Sequence, residues 1–519
     1  MPALNEQRLS GLLEMPLSQA IKIIAEMDPL TWALQYRIID DKPFRIKHQP
    51  FLEHIYEDQA QKMVIMKGAQ VGVSEYAINK SLWFLENCGD VLYVLPTDGD
   101  ASDFSAGRIN PAIEESSHLE ELFTDVDNVG HKRAGNRNYY LRGSNSRSKL
   151  KSVPIDFLVL DEYDEMIQRN IPLARRRLDA SPYKWELMIS TPTFPETGIH
   201  AEYLKSDQHV WMVTCKACGE DQELTWPESV KNGEFVCKAC GEVIDRWNGR
   251  WVSKNPGGSF RGYHISQLIS PTITAKELEQ EWNDAQGNAS KLEDFYNSKL
   301  GLPYVPEGDQ LTADLVRKHK GGYQTFETFA ASVMGVDVGS ELHYVISIQG
   351  ESGKRTVIRA GTVQEFEELD LLMDRYSVYG CVVDALPETR EARKFADRFP
   401  GKVYLAYYTD PREGLRIDEK KSEVHIARTE AIDGCFSRFF NGTIEIPVDV
   451  PEDFILQHTK LVRTYETNSK GQQVAVYRKI GADHYAHANT YCEIAFVNLK
   501  KNTIDPGMAE ILRGVKIYG

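Results

Sequence analysis

The stretch MVIMKGAQVGVSEYAINKSLWFLEN (63–87) decides the fold class of the N-terminal half of the chain. Its apolar opening, 63–66, predicts a buried strand, and its amphipathic end, 74–87, predicts a helix. A glycine-bearing loop between a strand and a helix is the arrangement in which backbone N–H groups and a helix N-terminus bind phosphate. The stretch therefore predicts a strand–loop–helix unit suited to a nucleotide.

The loop departs from the usual phosphate-binding pattern G-x-x-x-x-G-K-[ST] at two positions. Gly72 and Ser74 are in register, but Lys67 replaces the first glycine and Val73 stands at the lysine position. Phosphate binding is retained if Lys67 reaches the phosphates from the other end of the loop and the Ser74 hydroxyl binds Mg²⁺. On this stretch alone, an ordinary strand-to-helix turn is the alternative. The candidate nucleotide-binding residues are Lys67, Gly68, Ala69, Gln70, Val71, Gly72, Val73 and Ser74.

A second apolar run, FLVL (157–160), ends in two neighbouring carboxylates, Asp161 and Glu162. In a phosphate-loop ATPase the first carboxylate of such a pair helps to hold Mg²⁺. The second orients and deprotonates the attacking water. Because this pair follows the loop in the expected order, the two signals together indicate an ATPase far more strongly than either alone.

Two further apolar runs, 91–96 and 187–190, complete the pattern of the N-terminal half. Strands that alternate with helical segments predict an α/β domain with a mainly parallel sheet. The last run leads into Ser190 and Thr191. Their hydroxyl groups are candidates for sensing the γ-phosphate and coupling hydrolysis to movement, although Pro192 also ends a strand.

The cysteines indicate one metal site. Two C-x₂-C pairs, separated by eighteen residues, each lie in a C-K-A-C-G knuckle, which is the spacing of a four-cysteine zinc ribbon. Four thiolate ligands favour a structural Zn²⁺ over a catalytic one. The remaining four cysteines are scattered, as expected in a reducing compartment. The zinc ligands are Cys215, Cys218, Cys237 and Cys240; whether the ribbon contacts DNA or another subunit stays open.

In the C-terminal half, three aspartates are candidates for a second catalytic centre. Asp337 and Asp384 end apolar runs, and Asp483 opens an amphipathic segment. Three carboxylates from separate elements can hold two Mg²⁺ or Mn²⁺ ions about 4 Å apart and activate water against a phosphodiester. His487 follows Asp483 by one helical turn, as a ligand, a proton shuttle or a packed histidine.

The chain has 519 residues and a formal net charge of −16, which argues against a protein that coats nucleic acid with a basic surface. One stretch differs, because no acidic residue occurs between Asp127 and Asp156. Its basic residues are candidates for gripping DNA phosphates, with a solvated loop as the alternative. They are Lys132, Arg133, Arg137, Arg142, Arg147, Lys149 and Lys151.

Taken together, these residues resemble the lambda-type (GpA) family of tailed-phage terminase large subunits. The resemblance rests on the reversed phosphate loop, on GSNSRSKLKSVPIDFLVLDEYDE (143–165), on the S-T-P motif, and on GYHISQLISP (262–271) and FYNSKLGLPY (295–304). It implies an ASCE-type ATPase with a zinc-ribbon insertion, followed by an RNase H-like nuclease. The implied activities are ATP-driven packaging of viral double-stranded DNA into a procapsid and cutting of the concatemer.

By this resemblance Lys67, Gly72 and Ser74 bind ATP, Asp161 holds Mg²⁺ and Glu162 is the catalytic base. Ser190 and Thr191 couple hydrolysis to movement, and Asp337, Asp384 and Asp483 hold the nuclease metals. Gln49 resembles an adenine-reading glutamine, with a solvated helix-start residue as the alternative. Many family members carry an arginine in the loop where this chain has Gln70. The charge-stabilising arginine is then expected among Arg133, Arg137, Arg142 and Arg147, or in a neighbouring subunit.

The resemblance also implies partners: a small terminase subunit, the portal, DNA and further copies of the chain in a ring, all in the host cytoplasm. We see no signal peptide and no membrane-spanning run in the sequence. A helicase-like or repair translocase and a zinc-stabilised, non-catalytic DNA-binding scaffold are the alternatives. The expected divisions are an N-terminal helical region (1–60), an ATPase domain (61–310) with the ribbon at about 211–250, a linker (311–327), a nuclease domain (328–500) and a tail (501–519), whose apolar residues are a candidate portal-docking segment.

Overall fold

The computed structural model describes residues 15–46, 49–125, 128–151, 153–305, 308–350, 353–409, 414–467 and 473–498. The expected tail lies outside these residues. The chain divides into two compact units, Met1–Tyr304 and Val305–Gly519. None of the helices in the described segments has the length and apolar character that crossing a membrane requires.

The first unit begins with helices and a small two-stranded ribbon, followed by a large sheet. The leading elements are α1 (Leu17–Met27), α2 (Pro29–Tyr36), β1 (Ile38–Ile39), β2 (Lys42–Pro43) and α3 (Pro50–Glu57). The strands that follow are β3 (Lys62–Lys67), β4 (Val91–Leu95), β5 (Phe123–Asp125), β6 (His131–Ala134), β7 (Arg137–Gly143), β8 (Phe157–Asp161), β9 (Trp185–Ser190), β10 (His209–Thr214), β11 (Asp221–Glu223), β12 (Val230–Lys231), β13 (Glu234–Phe235), β14 (Gly249–Ser253) and β15 (Arg261–Ile265). The later helices are α4 (Val73–Asn87), α5 (Asp98–Phe104), α6 (Asn110–Glu114), α7 (Ser117–Leu122), α8 (Ile171–Arg175), α9 (Gly198–Lys205), α10 (Ala275–Ala285) and α11 (Ala289–Asp294).

Eleven of these strands, as far as the first unit is described, form one sheet in the order β11-β10-β15-β3-β9-β8-β4-β7-β6-β5, with β14 also paired to β10. The run from β10 to β7 is parallel, as the alternation of apolar runs and helices predicts. Alternate residues of the central strands face two separate cores, one against α4 and one against α9. The strands are therefore continuous apolar runs, because helices cover both faces.

The second unit is built on a mixed sheet with the order β21-β22-β20-β19-β16-β17-β18-β23. Its strands are β16 (Ser332–Val338), β17 (Leu342–Gln349), β18 (Arg355–Val363), β19 (Val378–Asp384), β20 (Val403–Thr409), β21 (Arg416–Asp418), β22 (Glu423–Ala427) and β23 (Ile444–Glu445), and a separate hairpin joins β24 (Leu461–Thr467) to β25 (Gln473–Lys479). Its helices are α12 (Ala313–Arg317), α13 (Phe366–Arg375), α14 (Thr389–Arg398), α15 (Arg428–Phe440), α16 (Glu452–His458) and α17 (His484–Asn498). The first two strands of this unit, β16 and β17, are paired antiparallel.

Helix α17 lies unusually close to strand β16. A Cβ atom on Gly335 would come within 2.2 Å of the Ala488 carbonyl oxygen, so only glycine allows this approach. This contact fixes the position of α17 along β16, so that the start of the helix lies near the end of the strand. Residues 311–327, which we expected to be a linker, contribute Leu311 and Val316 to the core of the second unit.

Candidate functional site

The ends of three neighbouring strands bring the predicted nucleotide-binding residues together. Strand β9 lies between β3 and β8, and all three are parallel, so their carboxyl ends share one edge of the sheet. Lys67 ends β3 and is buried, and its Nζ atom lies 3.3 Å from Glu162 Oε1, directly after β8. The lysine at the start of the reversed loop and the candidate catalytic base therefore meet across the end of β9.

The phosphate loop is held in place by two distant segments. The Gly68 N–H donates to the Ile265 carbonyl at 2.7 Å, and the Ala69 N–H donates to the Ser298 carbonyl at 2.6 Å. These acceptors lie in the two family-like stretches, 262–271 and 295–304. These two hydrogen bonds hold the first part of the loop, and its later part continues into α4.

The second half of the loop has the backbone shape that an anion site requires. Gln70 and Gly72 adopt left-handed conformations, with φ of 54° and 84°, and Val71 and Val73 are buried beneath the loop. Ser74 lies in the first turn of α4, whose N–H groups have no partners within the helix. Unpaired N–H groups and the positive end of the helix dipole favour phosphate there.

Gln49 lies against this loop. Its side-chain amide is 3.5 Å from the position that a Cβ atom on Gly72 would take, and Gln49 is the residue before α3. The structure therefore brings Gln49 to the loop, as the resemblance to an adenine-reading glutamine requires.

Asp161 is suited to a cation. It is 3 % exposed, its Oδ2 atom accepts a hydrogen bond of 2.6 Å from the Tyr93 hydroxyl, and its Oδ1 atom has no partner among the described residues. Burial, together with the neighbouring charge of Glu162, raises the pKa of Asp161 to about 6. A buried carboxylate with an unused oxygen fits the oxygen-ligand chemistry of Mg²⁺. The Glu162 side chain is 41 % exposed, so water can reach it.

Asp164, which the sequence pattern did not single out, ties the Ser190–Thr191 segment to the loop after β8. Its N–H donates to Ser190 Oγ at 3.1 Å, and its carboxylate accepts 2.8 Å hydrogen bonds from the Thr193 N–H and hydroxyl. Burial raises the pKa of Asp164. The only signal for it was its place in the D-E-Y-D-E run. A pocket of about 290 Å³ adjoins this point, with Glu162, Thr191 and Asn297 in its wall.

Two of the four candidate arginines are engaged elsewhere. Arg137 donates to the Leu85 carbonyl at 2.8 Å and also to that of Glu86, while Arg142 donates to the Gly130 carbonyl. Arg137 thus binds the end of α4, and Arg142 binds the segment before β6, so both side chains are occupied in holding the fold together. The exposed members of the set are Arg133 and Arg147.

Arg108 is an arginine near the loop that no sequence pattern marked. Its Nη2 atom lies 2.9 Å from Glu75 Oε2, and Glu75 directly follows Ser74. The buried Arg37 holds the other oxygen of Glu75 at 2.5 Å. The Arg108 side chain is 46 % exposed, so a positive charge stands at the solvent edge of the first turn of α4.

The predicted basic DNA track is smaller than its sequence suggests. Lys132 is fully buried and cannot reach a DNA backbone, because alternate residues of β6 point into the core. With Arg137 and Arg142 bound to carbonyl groups, the surface is reduced by three residues. Lys149 Nζ pairs with Asp98 at 3.0 Å. The exposed basic residues of the stretch are Arg133, Arg147, Lys149 and Lys151.

The four clustered cysteines converge as expected of metal ligands. Their sulfur atoms all lie within 4.8 Å of one another, and the Cys215–Cys240 and Cys218–Cys237 Sγ pairs are 3.7 Å apart. A disulfide needs about 2.05 Å. A tetrahedron with metal–sulfur bonds of about 2.3 Å has edges of about 3.8 Å. Gln222 Nε2 also donates to Cys237 Sγ at 2.9 Å, an outer contact that orients this ligand.

Two of the three candidate aspartates of the second unit lie on adjacent strands at one edge of its sheet. Asp337 lies near the end of β16, and Asp384 ends the adjacent parallel strand β19. Burial raises the pKa of Asp384, and the charge of Asp337 adds to this effect. Asp483 immediately precedes α17, where it pairs with Lys479 and with His487 Nε2 at 3.3 Å. Over the residues that the structure describes, only the cysteine cluster has ligand atoms already spaced for a metal.

Two family models match successive parts of the chain. The family described as the ATPase domain of phage terminase large subunit gpA matches residues 42–254, and the family of its endonuclease domain matches residues 260–410. The chain is 23 % identical over 320 residues to the terminase large subunit of Escherichia phage lambda, covering 51 % of this chain and 50 % of that protein. It is 24 % identical over 302 residues to that of Enterobacteria phage P21, covering 47 % and 46 %.

The chain thus spans about half the length of the curated relatives it matches. Among solved structures, the HK97 bacteriophage large terminase superposes with a TM-score of 0.55 at 12 % identity, covering 90 % of this chain and 99 % of that chain. At that identity the likeness establishes the fold. An α/β unit with ATPase-type topology followed by a nuclease-type unit is therefore confirmed.

Proposed function

We propose, from the premise that this chain belongs to the lambda-type (GpA) family of phage terminase large subunits, that it hydrolyses ATP to move viral double-stranded DNA into a procapsid and cuts the concatemer. The observation that carries the motor activity is the meeting of Lys67, Asp161 and Glu162 at one sheet edge, beside a loop shaped for phosphate. These groups supply the charge, the metal ligand and the base that phosphoryl transfer needs.

Each residue then has a defined task. Lys67 and the N–H groups at the start of α4 bind the phosphates, and Gln49 contacts the adenine side. Asp161 and Ser74 hold Mg²⁺, which neutralises phosphate charge when it is bound. Glu162 accepts the proton of the attacking water; its partly exposed side chain, which water can reach, supports this role. Asp164 connects this step to Ser190 and Thr191, so that a change at the γ-phosphate moves the following loop.

Steady-state ATP hydrolysis by the full chain tests the motor proposal. We expect Lys67→Ala to weaken nucleotide binding and hydrolysis together. Glu162→Gln should keep binding but lower turnover by about 10²–10⁴-fold, the usual worth of a general base. Lys62→Ala is the matched control, because this lysine begins the same strand and pairs with Glu186 and Glu202. A chain without ATP turnover contradicts the proposal and favours a non-catalytic scaffold, and turnover that survives both site variants contradicts the assignment of these residues.

The nuclease proposal rests on Asp337 and Asp384, whose charges act on each other at adjacent strand ends. Two carboxylates on adjacent strand ends suit a divalent cation, Mg²⁺ or Mn²⁺, and Asp483 is the third candidate ligand. The cation would supply an activated water and stabilise the leaving oxygen. We expect Asp337→Asn to abolish metal-dependent DNA cleavage while leaving ATP hydrolysis intact. Cleavage that survives this change contradicts the assignment, whereas an unaltered chain that unwinds duplex DNA without cutting it favours a helicase-like translocase.

The remaining assignments are proposals of the same kind. The cysteine cluster binds a structural Zn²⁺, because its sulfur spacing matches the tetrahedral geometry. Arg133, Arg147, Lys149 and Lys151 contact DNA phosphates, and an exposed arginine, Arg133 or Arg147, or one from a neighbouring copy supplies the charge-stabilising group. The proposed partners are a small terminase subunit, the portal and further copies of the chain in a ring, in the host cytoplasm.

A further inference from the structure

The residue of α17 that reaches the candidate nuclease centre is His484. Its Nδ1 atom lies 2.8 Å from Asp337 Oδ2. The close approach of α17 to Gly335 explains this contact, because it brings the first turn of the helix to the level of Asp337, two residues further along β16. His484 therefore meets the one aspartate that shares an edge with Asp384.

Asp483 lies one residue earlier, but both of its carboxylate oxygens already have partners. Lys479 Nζ pairs with Oδ1, and His487 Nε2 lies 3.3 Å from Oδ2. The far nitrogen of His487 lies 3.1 Å from the Tyr408 hydroxyl. Asp483 is thus the centre of a contact set that fixes the orientation of His487, and a metal would have to displace Lys479 or His487 to reach it.

A second imidazole lies beside His484. The ring of His343 stacks on that of His484 with centroids 4.8 Å apart and an angle of 20° between the planes. His343 is 6 % exposed, and its Nδ1 atom has no hydrogen-bond partner among the described residues. His343 also pairs with Asp337 across β16 and β17. Two imidazole rings therefore lie near Asp337, and they offer nitrogen ligands where carboxylates offer only oxygen.

We infer that His484, rather than Asp483, supplies the α17 ligand of the nuclease metal centre, together with Asp337 and Asp384. Asp483 is a positioning residue that orients His487. The inference rests on the proposed nuclease function. A centre of mixed imidazole and carboxylate ligands binds Mn²⁺ or Co²⁺ better than Mg²⁺, because imidazole nitrogen suits the later transition metals and Mg²⁺ prefers oxygen.

Pulsed electron paramagnetic resonance on the full, zinc-loaded chain with Mn²⁺ added tests this directly. An imidazole bound to Mn²⁺ produces electron spin-echo modulation from its ¹⁴N nucleus, whereas a histidine that only hydrogen-bonds to Asp337 does not coordinate the metal. We expect the modulation in the unaltered protein and in the His487→Ala and Asp483→Asn variants. It should disappear in His484→Ala and His484→Gln, which we also expect to bind Mn²⁺ at least about tenfold more weakly.

His54→Ala is the control for a general loss of imidazole, because His54 is an exposed residue of α3 in the first unit. Thermal melting of each variant verifies that it folds. Bound Mn²⁺ with DNA cleavage but without ¹⁴N modulation in the unaltered protein overturns the inference and leaves the proposed nuclease standing. Modulation that persists in both His484 variants, or that is lost in Asp483→Asn, overturns it as well. A chain that neither binds Mn²⁺ nor cleaves DNA contradicts both proposals.

Discussion

Replacing Tyr93 by phenylalanine tests the electrostatic account of the ATP site in one step. The Tyr93 hydroxyl donates to Asp161 Oδ2 at 2.6 Å, and both residues are buried. The other oxygen of Asp161 has no partner among the described residues. The variant therefore removes the side-chain hydrogen bond that this buried carboxylate accepts, which is unfavourable for its ionised form.

The magnitude follows from the pKa of Asp161. Because this pKa is raised from the ordinary value of 3.8 to about 6, the Mg²⁺-free folded protein holds the proton more tightly than the unfolded chain does. The free energy of unfolding therefore falls as the pH rises from about 4 to about 6, by roughly 3 kcal/mol in total. A hydrogen bond to a charged group contributes about 1.5–3 kcal/mol, so Tyr93→Phe raises the pKa of Asp161 further, by about one to two units.

We expect the stability difference between the unaltered protein and Tyr93→Phe to grow with pH. At pH 5 Asp161 is mostly protonated in both proteins, and the loss is about 1 kcal/mol, as for a neutral hydrogen bond. At pH 8 it reaches about 2–3 kcal/mol, because Asp161 is ionised in the unaltered protein. Calorimetric melting in Mg²⁺-free buffer, without a chelator that would strip zinc, measures the difference. The transition of the first unit is the one that Mg²⁺ and ATP shift.

Tyr139→Phe is the matched control. Tyr139 is a fully buried tyrosine of the neighbouring strand, and its hydroxyl shares a 2.9 Å hydrogen bond with Ser81. Its loss should lower stability by a similar amount at both pH values. An equal difference at pH 5 and pH 8 for Tyr93→Phe, or a pH trend of the same size in Tyr139→Phe, would refute the reasoning.

Three further predictions concern the zinc cluster, the phosphate loop and the basic surface. Cys240→Ser removes one ligand of the four-thiolate site, so it should reduce bound zinc below one ion per chain and lower the melting temperature of the first unit. Mass spectrometry measures the zinc, and an unchanged zinc content contradicts the assignment. Gly68→Ala places a Cβ atom 2.8 Å from the Ser298 carbonyl oxygen, so it should move the loop and lower the free energy of unfolding by about 1–3 kcal/mol. ATP binding should weaken in a calorimetric titration, and an unchanged affinity would show that the loop tolerates the shift. Exchanging both Arg147 and Lys151 for glutamate should weaken the binding of duplex DNA and make the affinity depend less on salt concentration. The readout is the slope of log affinity against log salt concentration, and an unchanged slope would exclude these residues from the DNA contact.

The local signals of the sequence were sufficient for the central strands and for the grouping of the cysteines. Apolar runs predicted the central strands, because strands covered by helices on both faces are continuous apolar runs. The paired C-x₂-C knuckles predicted a cluster that the structure assembles, since each pair closes its own short turn. Carboxylates at the ends of parallel strands predicted shared sheet edges, because strand direction alone brings such ends together.

Sequence patterns did not predict the contacts between segments that are distant in the chain. Residues 260–304 match the start of the endonuclease-domain family, yet they belong to the first compact unit, where Ile265 and Ser298 hold the phosphate loop. The sequence predicted that all seven basic residues of the stretch face solvent, but Lys132 is buried. Its arginines look equivalent in sequence, and only the fold shows which of them bind backbone carbonyls.

The sequence by itself thus determined the strand–loop–helix unit, the paired cysteine knuckles and the Asp161–Glu162 pair at the end of a strand, because each depends on residues close together in the chain. The tertiary structure decided which side chains face one another. His484 and Asp337 are 147 residues apart, and they meet because Gly335 lets α17 lie directly on β16. Such a contact depends on the register of a helix against a sheet, which packing sets and local periodicity does not encode.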